Sequence, residues 1–139
     1  MVDLTQSEES LVIRADFTDD SIWNVLKAAI TQEDPAFGFQ ANVEFVEDRK
    51  YSGLTADRVL EIFPEGSNQT FVFLADSETI SNPEHPVLCI DLFDERGRTF
   101  RVVPSQMWSV ENNLSIANMD FAEFADIVDA DGVLRGIFE

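Results

Sequence analysis

Phe71-Val72-Phe73-Leu74-Ala75-Asp76 is the stretch on which the reading of this chain turns. It is an unbroken apolar run closed by a carboxylate, without the alternation that marks a strand with one wet face. Such a run suits a strand covered on both sides. Two others repeat the pattern, Leu11-Val12-Ile13-Arg14-Ala15-Asp16 upstream and Val87-Leu88-Cys89-Ile90-Asp91 downstream. Together they predict a sheet with helices on both faces, three layers rather than two. If the strands are parallel, their carboxyl ends share one edge, where open α/β sheets bind ligands.

Working outward, Thr18, Asp19, Asp20 and Ser21 offer N-caps and place negative charge at a helix start, where the dipole favours it. That helix is predicted to run to about residue 32, with Ile22, Leu26, Ala29 and Ile30 on one face, Trp23 beside them, and Pro35 beyond its end. Val43 and Phe45 alternate with Asn42 and Glu44 and suggest a strand with one wet face. Thr55 caps a short helix carrying Val59, Leu60, Ile62 and Phe63, stopped by Pro64. The order β-α-β-α-β argues for parallel strands and right-handed crossovers.

Residues 77–86 form a loop that is short for a crossover helix. Asp94-Glu95-Arg96-Gly97-Arg98 then reads as a hairpin turn into Thr99-Phe100-Arg101-Val102-Val103, an antiparallel pair at one side of the sheet. Over residues 107–117 helix and extended loop compete. Asp120-x-x-Glu123 resembles a capping box for a helix bearing Phe121, Phe124, Ala125, Ile127 and Val128, and residues 133–138 add an edge strand. The expectation is one α/β domain over residues 1–139: a mostly parallel central sheet, an antiparallel hairpin edge and flanking helices. Residues 1–9, polar and acidic, are expected to fray.

Twenty-seven Asp and Glu against nine Lys and Arg give a net charge of −18. That field repels nucleic acid and anionic membrane surfaces and attracts a basic protein, a cationic ligand or a divalent metal. The single cysteine, Cys89, excludes an internal disulfide and sits where a thiol behaves as a small hydrophobe. No secretory signal opens the chain and no apolar run approaches membrane-spanning length, so the cytoplasm is the expected location.

Three constellations bear on chemistry. Asp16, Asp76 and Asp91, with Asp19 and Asp20 on the following turn, offer ligands for Mg²⁺ in a hydrolase or phosphotransferase, with Lys27 or Arg14 to offset developing charge. The same carboxylates also suit the capping of turns and helices. Arg96, Arg98 and Arg101 form the one basic cluster, fit either to pair with neighbouring carboxylates or to bind an anion. Asn112, Asn113 and Asn118 offer amides to a ligand or to local backbone. The only histidine, His85, lies in a Pro-rich loop without an identifiable catalytic partner. Phosphate-binding loops, dinucleotide glycines and zinc spacings are absent. With no complete catalytic set, the leading expectation is a non-enzymatic acidic module, inhibitor- or immunity-like, that engages a basic protein. No cofactor is expected outside the Mg²⁺ alternative.

Several longer motifs fit together. His85-Pro86-x-Leu88-x-x-Asp91-Leu92, Phe100-Arg101-Val102-Val103-Pro104, Asn113-Leu114-Ser115-x-Ala117-Asn118-Met119-Asp120-Phe121 and Asp131-Gly132-Val133-x-Arg135-Gly136 resemble those of an uncharacterised bacterial family, a domain of unknown function. The opening Arg14-x-Asp16-Phe17-x-Asp19-Asp20-x-x-Trp23 is similar too. The resemblance implies no activity, cofactor or catalytic residue.

Overall fold

Two hydrophobic clusters, one on each face of a single sheet, hold the chain together. The computed structural model describes residue 4 and residues 7–136. In chain order the elements are β1 (Ser10–Arg14), α1 (Asp20–Thr31), β2 (Val43–Val46), α2 (Ala56–Ile62), β3 (Phe71–Ala75) and α3 (Ser77–Ser81). They continue with β4 (Val87–Asp91), β5 (Thr99–Val102), α4 (Met107–Ser115), α5 (Phe121–Ala125) and β6 (Val133–Leu134).

All residues of β1 and β3 are buried, as their unbroken apolar runs predict. Pleating sends alternate side chains to opposite faces. Val12, Phe73 and Cys89 join Trp23 and Leu26 of α1, Val110 of α4 and Phe124 of α5 in one cluster. Leu11, Ile13, Val72, Leu74 and Ile90 join Val59 of α2 and the adjoining Phe63 in the other. The three-layer expectation therefore holds. Caps fall where the sequence places them: Asp19 accepts the Ile22 N–H at 3.0 Å and Thr55 accepts the Arg58 N–H at 3.3 Å.

The strand order is β2-β1-β3-β4-β5-β6. β1 pairs in parallel with β2 and β3, and β5 with β6, whereas β4 is antiparallel to both its neighbours. Five strands thus share one direction and β4 alone runs against them. The cause is the length of the link: residues 76–86 hold only the five-residue α3, too short to carry the chain across the sheet, so it folds straight back.

Some expectations need correction. The predicted loop at 77–86 contains α3, opened by Asp76. Helix prevails over extended chain at 107–115, and α5 stops at Ala125, leaving Ile127 half exposed. The hairpin lies one strand inboard, because β6 closes that edge. The edge strand expected over residues 133–138 is realised by Val133–Leu134, with residues 137 and 138 outside the described residues. Of the tail expected to fray, residues 1–3, 5 and 6 lie outside the described residues, but Leu4 is buried in the α2-side cluster. Gln69 ties the neighbouring backbone down, its amide donating to the carbonyls of Ser7 and Glu9 at 2.8 and 3.0 Å. Among the described residues, no helix is long and apolar enough to cross a membrane.

Candidate functional site

At the carboxyl ends of β1 and β3 the chain opens a cleft of about 460 Å³. The segment after β1 leaves toward α1, while residues 52–56 lead into α2 on the other face. The Gly53 N–H, donating to the Ala15 carbonyl at 2.8 Å, stitches the two. Its lining includes the polar residues Asp16, Thr18, Ser52, Thr55, Asp76 and Ser77 and the apolar Leu54, Leu74 and Leu88. Asp16 Oδ1 accepts both the Thr18 N–H, at 2.9 Å, and the Thr18 hydroxyl, at 2.5 Å.

Asp76 is fully engaged. Its Oδ1 and Oδ2 accept from Arg101 Nη1 and Nη2 at 3.0 and 2.7 Å, and Oδ1 also caps α3 through the Thr79 N–H at 3.2 Å. Burial works against the charged carboxylate. The hydrogen bonds and charge of Arg101, with help from Thr79, outweigh it and hold the Asp76 carboxyl below its usual range. Arg101 also reaches Glu78 at 2.6 Å and the Pro86 carbonyl at 3.1 Å.

Asp91 lies elsewhere. Because β4 is antiparallel, Asp91 sits opposite Phe71, at the start of β3 rather than its end. Five residues of strand separate that level from Asp76, about 16 Å. Asp91 is 1 % exposed and accepts the N–H groups of Phe93, Asp94 and Glu95 at 2.8, 3.1 and 2.7 Å, closing the hairpin turn. The three-aspartate Mg²⁺ site is therefore corrected: its carboxylates occupy opposite edges, and each is a local cap. Among the described residues, no group of three or more His, Cys, Asp or Glu is arranged to hold a metal ion.

The arginine cluster disperses as well. Arg96 donates to the carbonyls of Leu60, Phe63 and Leu92 at 2.7, 2.6 and 3.2 Å, binding the end of α2 to the hairpin. Arg98 pairs with Glu95 and Asp126, and Arg101 with Asp76. Each is thus held by acceptors of the chain itself. Arg14 is 3 % exposed, lies 4.4 Å over the Phe17 ring and pairs with Asp20 at 2.8 Å, while Lys27 pairs with Glu47 at 2.9 Å. His85 Nδ1 lies 2.9 Å from the Thr79 carbonyl, and since a carbonyl only accepts, that nitrogen carries the proton.

The asparagines bind local partners. The Asn113 amide donates to the Ser109 carbonyl at 2.8 Å, Asn118 donates to Asn113 Oδ1 at 2.8 Å, and Asn112 donates to the Gln40 carbonyl at 3.1 Å. Asn112 also donates to Glu111, a residue not foreseen. Glu111 is 3 % exposed and accepts from the Ser10 hydroxyl, the Asn42 N–H and the Asn112 amide at 3.0, 2.7 and 3.0 Å. It staples α4 to the starts of β1 and β2.

A second surface, also unforeseen, rests on that staple. Phe37, Phe39, Trp108, Asn112, Asn113 and Ile116 line a groove of about 360 Å³. Phe37 and Phe39 are each 54 % exposed and Ile116 is 74 % exposed. Phe39 stacks on Trp108 with centroids 5.6 Å apart, and Phe37 meets the same ring at 5.8 Å. The loop is preformed. Asp34 Oδ2 accepts the Ala36 and Phe37 N–H groups at 3.0 and 2.8 Å, the Gly38 N–H donates to the Asp34 carbonyl at 2.8 Å, and the Asp34 N–H donates to the Phe39 carbonyl at 2.7 Å. Gly38 has φ of 75°, a left-handed turn that sets the two rings on one side. The available signal was Phe37-Gly38-Phe39 in a loop behind Pro35, two rings with no strand or helix period to bury them.

No curated protein matches the chain. A family model does, over residues 9–137, in agreement with the motif resemblance. The chain belongs to the family described as Domain of unknown function (DUF6924).

Proposed function

We propose that this protein is a non-enzymatic acidic binding module, of an inhibitor or immunity type, that seats an apolar side chain of a basic protein in the Phe37–Phe39–Trp108–Ile116 groove. The observation that carries the reading is the groove itself: stacked rings held by a preformed loop, with more than half of each phenylalanine exposed. Clustered exposed apolar surface marks interaction sites, and aromatic anchors in pockets dominate binding energy. Preorganisation lowers the ordering cost of association. Glu33 and Asp34 stand beside the rings and add to the −18 field, which steers a basic partner and disfavours nucleic acid and anionic membranes. A cytoplasmic setting for the encounter is part of this reading, supported by a lone, buried Cys89 that forms no disulfide.

The test is a fluorescence-anisotropy screen of lysine- and arginine-rich proteins and peptides carrying an apolar anchor. The supporting result is association that weakens steeply with salt and is lost in the Phe37→Ser/Phe39→Ser variant. Absence of any association at low ionic strength, or association indifferent to that variant, sinks the reading.

A further inference from the structure

The cleft at the carboxyl ends of β1 and β3 is separate from the groove and shares no lining residue with it. Its lining includes no lysine, arginine or histidine. The two carboxylates in it differ in partners. Asp76 is paired with Arg101, whereas Asp16 makes no ion pair among the described residues. Thr18 fixes Asp16 through Oδ1 alone, leaving Oδ2 without a hydrogen bond among the described residues. Ser52 and Ser77 also line the cleft, and Leu54, Leu74 and Leu88 contribute apolar lining.

This combination selects among ligand classes. A phosphate finds no cation, and the short helices α2 and α3 that begin here already have backbone donors capped by Thr55 and Asp76. A neutral apolar molecule leaves the fixed carboxylate desolvated and unpaired, at a cost. A group with an ammonium head and an alkyl stem matches both kinds of lining, the head suited to the carboxylate and hydroxyls, the stem to the leucines. We propose that the cleft binds a primary alkylammonium group, either a free polyamine or the side chain of a lysine. The site stands apart from the aromatic groove and does not depend on it.

The test is a titration of the ¹⁵N-labelled full chain with n-butylammonium, cadaverine and N-acetyl-lysine methylamide. Butanol, inorganic phosphate and Mg²⁺ serve as comparison ligands. Saturable shifts of the Gly53 and Ser77 amides with the ammonium ligands are expected, and none with butanol or phosphate. Asp16→Asn, which keeps an acceptor for Thr18, should weaken binding at least tenfold, and Ser52→Trp should obstruct it. The Phe37→Ser/Phe39→Ser variant should bind as the parent does, which separates this site from the groove. Tighter binding of the lysine analogue assigns the site to a protein side chain, and tighter binding of cadaverine to a free amine. No saturable shift with any amine, equal shifts with butanol, or larger Asp16-dependent shifts with Mg²⁺ would overturn the proposal.

Discussion

The strand-end aspartates and the aromatic groove are opposites. Asp76 and Asp91 are polar groups in sheltered settings, and nearly every bonding position on them is filled from within the chain. Phe37, Phe39 and Ile116 are apolar groups in an open setting, and water meets much of their surface. A satisfied buried polar group maintains the fold, whereas a preformed apolar patch left in water gains free energy only when something covers it. Asp76 and Asp91, catalytic by type, are bonded within the fold, whereas Phe37 and Phe39, core by type, are more than half exposed.

The hardest blow to that contrast is aimed at Asp91. Removing its carboxylate in Asp91→Ala strands three backbone N–H groups beneath the hairpin and should cost about 3–4 kcal/mol, read as a lower urea midpoint. Asp91→Asn keeps one acceptor and should cost about half as much. A variant as stable as the parent would return Asp91 to the list of functional candidates.

Next comes the Asp76–Arg101 pair, with side chains 22 % and 19 % exposed. Arg101→Met should cost about 2 kcal/mol at pH 7, between the values for exposed and buried pairs. The sign with pH follows from the lowered Asp76 carboxyl. A group whose pKa is depressed on folding contributes stability that is present above its unfolded value, near 3.9 for aspartate, and lost as pH falls through the folded value. The gap between parent and variant should therefore be full at pH 7 and should narrow progressively below about pH 4. Urea titrations across that range check it, and a gap that widens in acid would contradict the assignment.

How much of this was legible beforehand depends on the range of the interaction involved. The runs at 11–15, 71–75 and 87–91 showed the sheet and its two covered faces, because burial on both sides removes alternation locally. Thr55 and Asp19 were readable because a cap acts within three residues. The direction of β4 was signalled only by the brevity of residues 77–86, and with it went the supposed convergence of Asp91 with Asp16 and Asp76. Glu111 could not be read at all. It sits in a polar stretch beside Asn112 and Asn113, and its burial is imposed by Ser10 and Asn42, far away in sequence. The groove was hidden for the same reason, since Trp108 joins Phe37 and Phe39 only through the packing of α4 beside α1.

Substitutions at the groove should reverse the pattern seen at the aspartates. Phe37→Ser and Phe39→Ser each remove a ring already half in water, so stability should fall by only about 1 kcal/mol. Affinity for a partner found in the screen should fall by tenfold or more for each, as for hot-spot aromatics. Thermal melts and anisotropy on the same samples give both numbers. Large losses of stability with unchanged affinity would make these rings ordinary core at the surface.

The smallest expected effect makes the groove, rather than exposed apolar surface in general, the thing under test. Val25, 60 % exposed on α1, lines none of the cavities described above. Single apolar residues of this kind are normal on protein surfaces. Val25→Ala removes little buried area and replaces a β-branched residue with a better helix former, so stability should stay within about 0.5 kcal/mol and move upward if at all. Partner affinity should not change. If Val25→Ala weakened binding as much as Phe39→Ser, the contact would extend over the α1 face, and the preformed loop at 34–39 would lose its claim to be the anchor. Indifference at Val25 beside a loss at Phe39 would tie recognition to rings that the fold has already stacked.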